Sequence, residues 1–283
     1  MGEIRPVVVL GASGRLGGML RGFWPGEMPL VLHTTTPRAG FTAFDLTRDH
    51  EAAAALVADA GAVICLSGVT PARMRATGDP LSRNVDLALA ALAAAHAAGG
   101  GRVFLASSAA IYGNAPGVLD EEMPCLPVSD YGRAKLEMER VAAREAAALG
   151  HPLTSLRIGN VAGADAILGN WTEGMALDHL GGGRTPARSY IGPRTFAKVM
   201  HALCQSVELP GVINLACPGT VEMGALLDAA GLPWARRDPH PGVIPEVALS
   251  TRRLSAHVPL AKDAGTAAHL VAEWRDWQER QRT

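Results

Sequence analysis

Several things that mark common functional classes are scarce or missing in this 283-residue chain. Its four cysteines, Cys65, Cys125, Cys204 and Cys217, are scattered and form no CxxC pair. That spacing excludes a structural zinc module and gives no disulfide framework. Free thiols fit a reducing compartment, so a cytoplasmic location is expected. The net charge is −1, and no basic tract interleaves with aromatics. Nucleic acid and acidic membrane surfaces are therefore not expected partners. Apolar runs such as "LALAALAAAHAAGG" are too short or interrupted to span a bilayer. "MGEIRPVVVLGASG" passes at once into a strand and glycines, without the apolar core of a secretory leader. The nine histidines make no HExxH and no cluster, so no metal site is expected and most of them read as surface or core-edge residues. Aromatics are only 5% of the chain; Trp274 and Trp277, three apart, read as packing residues of a terminal helix.

What is present is a core. Hydrophobic residues make up 48% of the chain, enough for one large domain or two small ones. Continuous apolar segments alternate with helical ones. Strands are expected at 6–10, 29–34, 62–67, 102–108 and 153–160. Helices are expected after the first glycines and at 49–60, 80–100 and 129–150, the last two ending on glycine. Apolar strands separated by helices imply parallel strands covered on both faces, joined by right-handed crossovers. The expected fold is α/β, a doubly wound parallel sheet of the Rossmann type spanning 1–160, with 161–283 mainly a small, loop-rich substrate lobe. Segments at about 193–216 ("PRTFAKVMHALCQS", "GVINLA") are expected to return to the core.

"GASGRLG" places Gly11, Gly14 and Gly17 directly after the first strand, opening a helix. Glycine permits the tight turn, the approach of backbone to a pyrophosphate, and close helix–strand packing, while the helix N-terminus offers free N–H groups. Gly11, Ser13, Gly14, Arg15, Leu16 and Gly17 are thus candidate dinucleotide-binding residues. The second strand ends in "LHTTTPRAG", where a carboxylate would hold the ribose 2′-OH of NAD. Here stand Thr34 and, soon after, Arg38, with Arg15 in the turn. Arginine suits a 2′-phosphate, so NADP is favoured, with NAD the alternative.

"FLASSAAIYGN" puts Ser107 and Ser108 at the carboxyl end of the fourth strand, and "SDYGRAKLEME" puts Tyr131 and Lys135 on one helical face. A serine hydroxyl, a phenol and an ammonium beside a nicotinamide form a proton-transfer device. A nearby cation lowers the phenol pKa from about 10, Tyr131 exchanges a proton with a carbonyl or alcohol, and Ser108 polarises the same oxygen.

Together "GASGRLG", "SSAAIYG" and "YGRAK" resemble the short-chain dehydrogenase/reductase superfamily, most closely its extended branch, the NAD-dependent epimerase/dehydratase family. "DEEMPCLPVSDYGRAK" resembles that branch's acidic, two-proline approach to YxxxK. The resemblance covers about residues 5–163. It implies a catalytic triad of Ser108, Tyr131 and Lys135, with Ser108 chosen over Ser107 because it lies four before Tyr112. It implies that Asp45, with Leu46, contacts the adenine, that Leu66, Ser67 and Gly68 flank the cofactor, and that Asn84 supports the catalytic region. It also implies substrate contacts from Ser107, Ser108, Asn160 and Arg188, and a homodimer packed through helices 80–98 and 129–149.

The same triad serves reductases, epimerases and dehydratases. In the family's sugar dehydratases an Asp-Glu pair follows the serine or threonine; here Ala109 and Ala110 stand there, which disfavours elimination. The expected function is an NAD(P)-dependent oxidoreductase or epimerase acting on a nucleotide sugar. The alternatives are an NADPH-dependent reductase of a small non-sugar carbonyl and a cofactor-sensing protein without turnover. The second lobe departs from the family's pattern, with "NVAGAD" and "IGPRTFA" where "NVYGP" and a "V-x-D" are usual.

Overall fold

The computed structural model describes residues 4–282. In chain order the first strands are β1 (Val7–Leu10), β2 (Leu30–Thr34), β3 (Thr42–Ala43), β4 (Ala62–Cys65), β5 (Arg102–Ser108), β6 (Val118–Leu119) and β7 (Leu153–Ile158). Short strands follow: β8 (Asn160–Val161), β9 (Ala176–Asp178), β10 (Ala187–Arg188) and β11 (Tyr190–Ile191). The last are β12 (Val212–Leu215), β13 (Val221–Glu222), β14 (Ala235–Arg237) and β15 (Glu246–Leu249). The first helices are α1 (Arg15–Phe23), α2 (His50–Val57), α3 (Pro71–Thr77), α4 (Arg83–Ala97) and α5 (Asp130–Leu149). The others are α6 (Pro193–Gln205), α7 (Met223–Ala230), α8 (Arg252–Ser255) and α9 (Ala267–Arg282).

Seven strands form the central sheet in the order β12-β7-β5-β4-β1-β2-β3, and every pairing is parallel. The reason lies in the side chains. All four residues of β1 are fully buried, Val7 and Val9 on one face and Val8 and Leu10 on the other. A strand apolar on both faces needs helices on both. α1, α6 and α9 cover one face, where Met19, Leu20, Phe196, Met200 and Trp277 join Val7 and Val9. α2, α4 and α5 cover the other, where Leu87, Leu92, Met138 and Ala142 join Val8 and Leu10. The doubly wound sheet expected from the sequence is the one observed.

The chain reverses its direction of travel across the sheet between β1 and β4, both paired in register from Val7↔Ala62 to Leu10↔Cys65. A crevice opens beyond the carboxyl ends of strands at such a switch point. The segment 212–215 enters the sheet as β12, beside β7.

The remaining elements sit beyond that end. β13, β10, β15 and β6 form a four-stranded sheet, and β8–β11 and β9–β14 are isolated pairs. A third apolar cluster, including Leu168, Leu177, Tyr190, Leu226, Leu227 and Trp274, packs them against α7 and α9. Trp274 and Trp277 are both buried packing residues, as expected. The sequence did not reveal the strands of 161–192 or those of 232–262. Pieces of two to four residues carry no readable periodicity, and their partners lie far along the chain.

Candidate functional site

The glycine turn lies at the switch point. Gly11 has φ +76°, and a Cβ there would stand 2.6 Å from the backbone nitrogen of Ser67, so the position requires glycine. At Gly17 a Cβ would fall 2.2 Å from the Ala12 carbonyl oxygen, so its absence lets α1 close onto the turn. Gly14 differs. A Cβ there would meet nothing nearer than 3.8 Å, and Ser13, Gly14 and Arg15 are exposed. The start of α1 is thus open to a phosphate group, with no side-chain cap on its first N–H groups. This arrangement fits a dinucleotide. Leu16 is half-buried against the core.

Two residues hold the turn to β2. Thr34 Oγ1 donates to Ser13 Oγ at 3.1 Å. His33 does more: its Nδ1 accepts from the Gly11 N–H at 3.2 Å and its carbonyl accepts from the Ala12 N–H at 2.8 Å. It is fully buried, an exception to the surface or core-edge positions expected of most histidines. A polar side chain inside an otherwise apolar strand was the cue to this role.

The two arginines considered for a 2′-phosphate part company. Arg15 reaches into the second lobe, donating to Asn170 Oδ1 at 2.7 Å and the Ala164 carbonyl at 3.4 Å. Arg38 is exposed beyond β2, its guanidinium 5.2 Å from the centre of the Phe41 ring. Asp45 is half-buried and largely committed within the protein. Its Oδ1 accepts from the Thr47 N–H and hydroxyl, and its Oδ2 lies 3.4 Å from Arg83. The Thr47 hydroxyl bond foremost holds its carboxyl below the usual range. Leu46 is buried.

After β4, Leu66, Ser67 and Gly68 are half-buried. A Cβ on Gly68 would lie 2.9 Å from Asn84 Oδ1 and 3.4 Å from Lys135 Nζ, which brings these three residues together. Asn84 is buried and clamps the segment. Its carbonyl oxygen accepts from the Val69 N–H, and its amide donates to the carbonyls of Val69 and Leu81.

The three residues of the expected triad come together at the end of β5. Ser108 caps a 3₁₀ turn, Ala109–Tyr112, its Oγ accepting from the Ala110 N–H at 3.2 Å. Tyr131 opens α5, whose N-cap Ser129 accepts from the Gly132 N–H at 3.1 Å. Gly132 permits the approach, because a Cβ there would sit 2.4 Å from the Ala110 carbonyl oxygen. The Ser108 hydroxyl lies near the Tyr131 phenol and favours its ionised form. One turn on, Lys135 is buried, and its Nζ donates to the Ala106 carbonyl at 2.7 Å.

Burial pushes the Lys135 ammonium down to about 8, with Cys65 and Glu139 opposing the shift. Burial also pushes the Tyr131 phenol up, against the influence of the Ser108 hydroxyl. The lowered phenol expected from the sequence is therefore not a property of the protein alone. The ammonium points to Ala106, 5.9 Å from the Tyr131 ring centre. Cys65 is buried, its thiol raised to about 11, and fits the inert role expected of it.

Ser107 Oγ is buried without a hydrogen-bond partner. Asn160, in β8, pairs with Tyr190 in β11, whose hydroxyl donates to Asp165 Oδ2 at 3.4 Å. Arg188 is half-buried in β10, and its guanidinium donates only to the neighbouring Ala187 carbonyl among the described residues. Ala109 and Ala110 leave methyl groups where an acid pair would stand. Among the described residues no group of three or more His, Cys, Asp or Glu is placed to hold a metal ion. Nor is any described helix long and apolar enough to cross a membrane.

A network behind the triad was not visible in the sequence. Arg157 in β7 pairs with Glu139 in α5, Nη2 to Oε2 at 3.0 Å, both buried. Arg157 also donates to Tyr112 Oη at 3.0 Å, and Tyr112 donates to Asn214 Oδ1 at 2.7 Å.

The model of the NAD dependent epimerase/dehydratase family matches residues 7–216. A UDP-glucose 4-epimerase of Corynebacterium glutamicum is 41% identical over 91 residues, a match spanning 32% of this chain and 28% of that protein. Among solved structures, the UDP-glucose 4-epimerase from Brucella ovis in complex with NAD superposes with a TM-score of 0.81 at 18% identity, covering 96% of this chain and 98% of that one. The UDP-glucose-4-epimerase from Stenotrophomonas maltophila, with bound NAD and formylated UDP-arabinopyranose, gives 0.81 at 18% identity over 98% and 99%. At that identity the likeness is one of fold.

Proposed function

This chain belongs to the NAD-dependent epimerase/dehydratase family and is an enzyme of the short-chain dehydrogenase/reductase type; from that premise we propose that it oxidises or reduces a carbonyl/alcohol carbon of a nucleotide sugar, using Ser108, Tyr131 and Lys135. The observation that carries this reading is the convergence of Ser108, Tyr131 and buried Lys135 at the end of β5, where Gly132 lets α5 close onto the Ala110 carbonyl and Lys135 Nζ donates to the Ala106 carbonyl.

Bound, the dinucleotide gives or takes the hydride. The protein's residues manage the proton. In the oxidising direction Tyr131 Oη takes the proton of the substrate hydroxyl, and in the reducing direction it returns one to the carbonyl oxygen. Ser108 Oγ orients and polarises that oxygen. Lys135 supplies the positive charge that favours phenolate. Oxidation followed by re-reduction from the other face gives epimerisation, and a single reduction gives a net reductase. The methyl groups at Ala109 and Ala110 supply no acid–base pair for elimination.

NADP is the proposed cofactor, with NAD the alternative. Support comes from the end of β2, where Thr34 and Ser13 bond to each other and Arg38 stands exposed without a carboxylate rival. The nucleotide-sugar half rests on Asn160, whose N–H donates to the Ser189 carbonyl at 2.9 Å, and on Arg188, the residue before Ser189. The proposed homodimer would pack through α4 and α5; Leu89, Ala90 and Ala93 line a groove on the outer side of α4.

Two measurements test the reading. Tyr131→Phe is expected to bind cofactor normally and to lose turnover, and full activity in that variant would remove the mechanism. UDP, dTDP or GDP is expected to compete with substrate; no effect of any nucleotide would favour a small carbonyl substrate.

A further inference from the structure

His33 is an unusual residue to find under a dinucleotide turn. It has no exposed surface, and its ring packs against Phe44, tilted by 44° with centres 4.2 Å apart. Each ring nitrogen has one partner. Nδ1 accepts from the Gly11 N–H at 3.2 Å, so Nε2 carries the proton and donates to the Phe44 carbonyl at 3.0 Å. The pairing fixes the neutral Nε2–H tautomer. An imidazolium carries protons on both nitrogens. Its Nδ1–H would face the Gly11 N–H, donor against donor, at a glycine already held at φ +76°. A buried donor without an acceptor is strongly unfavourable, and a turn built on that bond relieves it by moving.

We propose that His33 is a positioning residue for the cofactor turn: its neutral ring holds Gly11 in place, and its protonation lowers dinucleotide affinity without any contact to the dinucleotide. The inference rests on the reading that this turn binds the cofactor.

The surroundings agree. Burial pushes the His33 pKa below its ordinary value. Asp45, after β3, is the charged group that faces the ring, and it favours protonation but is outweighed. Arg15, the charged residue of the turn, is directed away toward Ala164 and Asn170. The flanking Thr34 and Ser13 are uncharged. The ring is thus neutral at pH 7 and gains its proton only on acidification. Because cofactor binding needs the neutral form, affinity falls as pH falls through the His33 pKa.

The test is calorimetric titration of NAD⁺ and NADP⁺ into the full chain and into His33→Gln, from about pH 8 to pH 5. NAD⁺ lacks the 2′-phosphate, whose own titration would add a slope. The expected result is a Kd for the parent protein that rises on acidification, approaching about tenfold per pH unit below the His33 pKa. His33→Gln is expected to show no such rise. An equal pH dependence in the two proteins overturns the proposal and leaves the cofactor reading standing. No binding of either dinucleotide at any pH overturns both. Should His33→Gln fail to fold, ¹⁵N histidine NMR on the parent decides. Saturating NAD⁺ or NADP⁺ is expected to lower the His33 pKa and keep the Nε2–H tautomer; an unmoved pKa overturns the proposal.

Discussion

Arg157 and Glu139 form a buried ion pair one helical turn behind Lys135, with Nη2 and Oε2 3.0 Å apart and both side chains under one tenth exposed. Arg157 is held firmly charged: the Glu139 hydrogen bonds and charge more than offset the burial that opposes it. Removing one member leaves the other charge buried. Glu139→Gln is therefore expected to lower unfolding free energy by about 3–5 kcal/mol. Urea denaturation checks this, and a loss under about 1 kcal/mol would mean that Arg157 finds water instead.

Lys135 links activity and stability in opposite senses. Its value in the folded protein is about 8, against 10.5 unperturbed. Between those values the unfolded chain binds more protons, so this residue makes stability rise with pH across that window. The ammonium proposed to favour phenolate is lost over the same window, so turnover is expected to fall above about pH 8. Lys135→Met should flatten this contribution to the stability profile and abolish the alkaline limb of what activity remains. Paired pH series of thermal melts and initial rates measure both.

Gly132 sets the distance between the helix bearing Tyr131 and the turn bearing Ser108. A Cβ there would lie 2.4 Å from the Ala110 carbonyl oxygen, which is backbone and has little freedom to yield. Gly132→Ala is expected to cost about 1–3 kcal/mol of stability. It should lower kcat more than it weakens dinucleotide binding, because α1 and the glycine turn are untouched. Equal losses in kcat and binding would mean that the whole crevice shifts.

Arg38 carries the proposed preference for NADP. Arg38→Glu replaces a cation with the carboxylate that a ribose 2′-OH favours. NADPH affinity is expected to fall by about tenfold or more while NADH affinity holds or improves. Fluorescence titration with the two reduced cofactors reads this directly. An unchanged ratio would leave the phosphate to other groups.

The sheet and its helices were legible because their signal is local and repeated. Val7 to Leu10 is apolar at every position, and α5 runs from a serine cap to a glycine stop. Boundaries moved by a few residues: the helix expected at 80–100 is Arg83–Ala97. The second lobe was not legible, because β10 is two residues long and takes its partners from Glu222 and Glu246. Individual pairings escaped for a similar reason. Nothing in the sequence ties Arg15 to Asn170, or Arg157 to Glu139, since folding alone makes them neighbours.

The four-stranded sheet of the outer lobe draws on residues 118–119, 187–188, 221–222 and 246–249. Such a lobe cannot be exchanged as a cassette. Grafting another specificity onto this scaffold needs four separate splices that keep register with one another. In folding, too, these strands can pair only after the central sheet has brought four distant stretches together, so the lobe forms late and its loop closures come last.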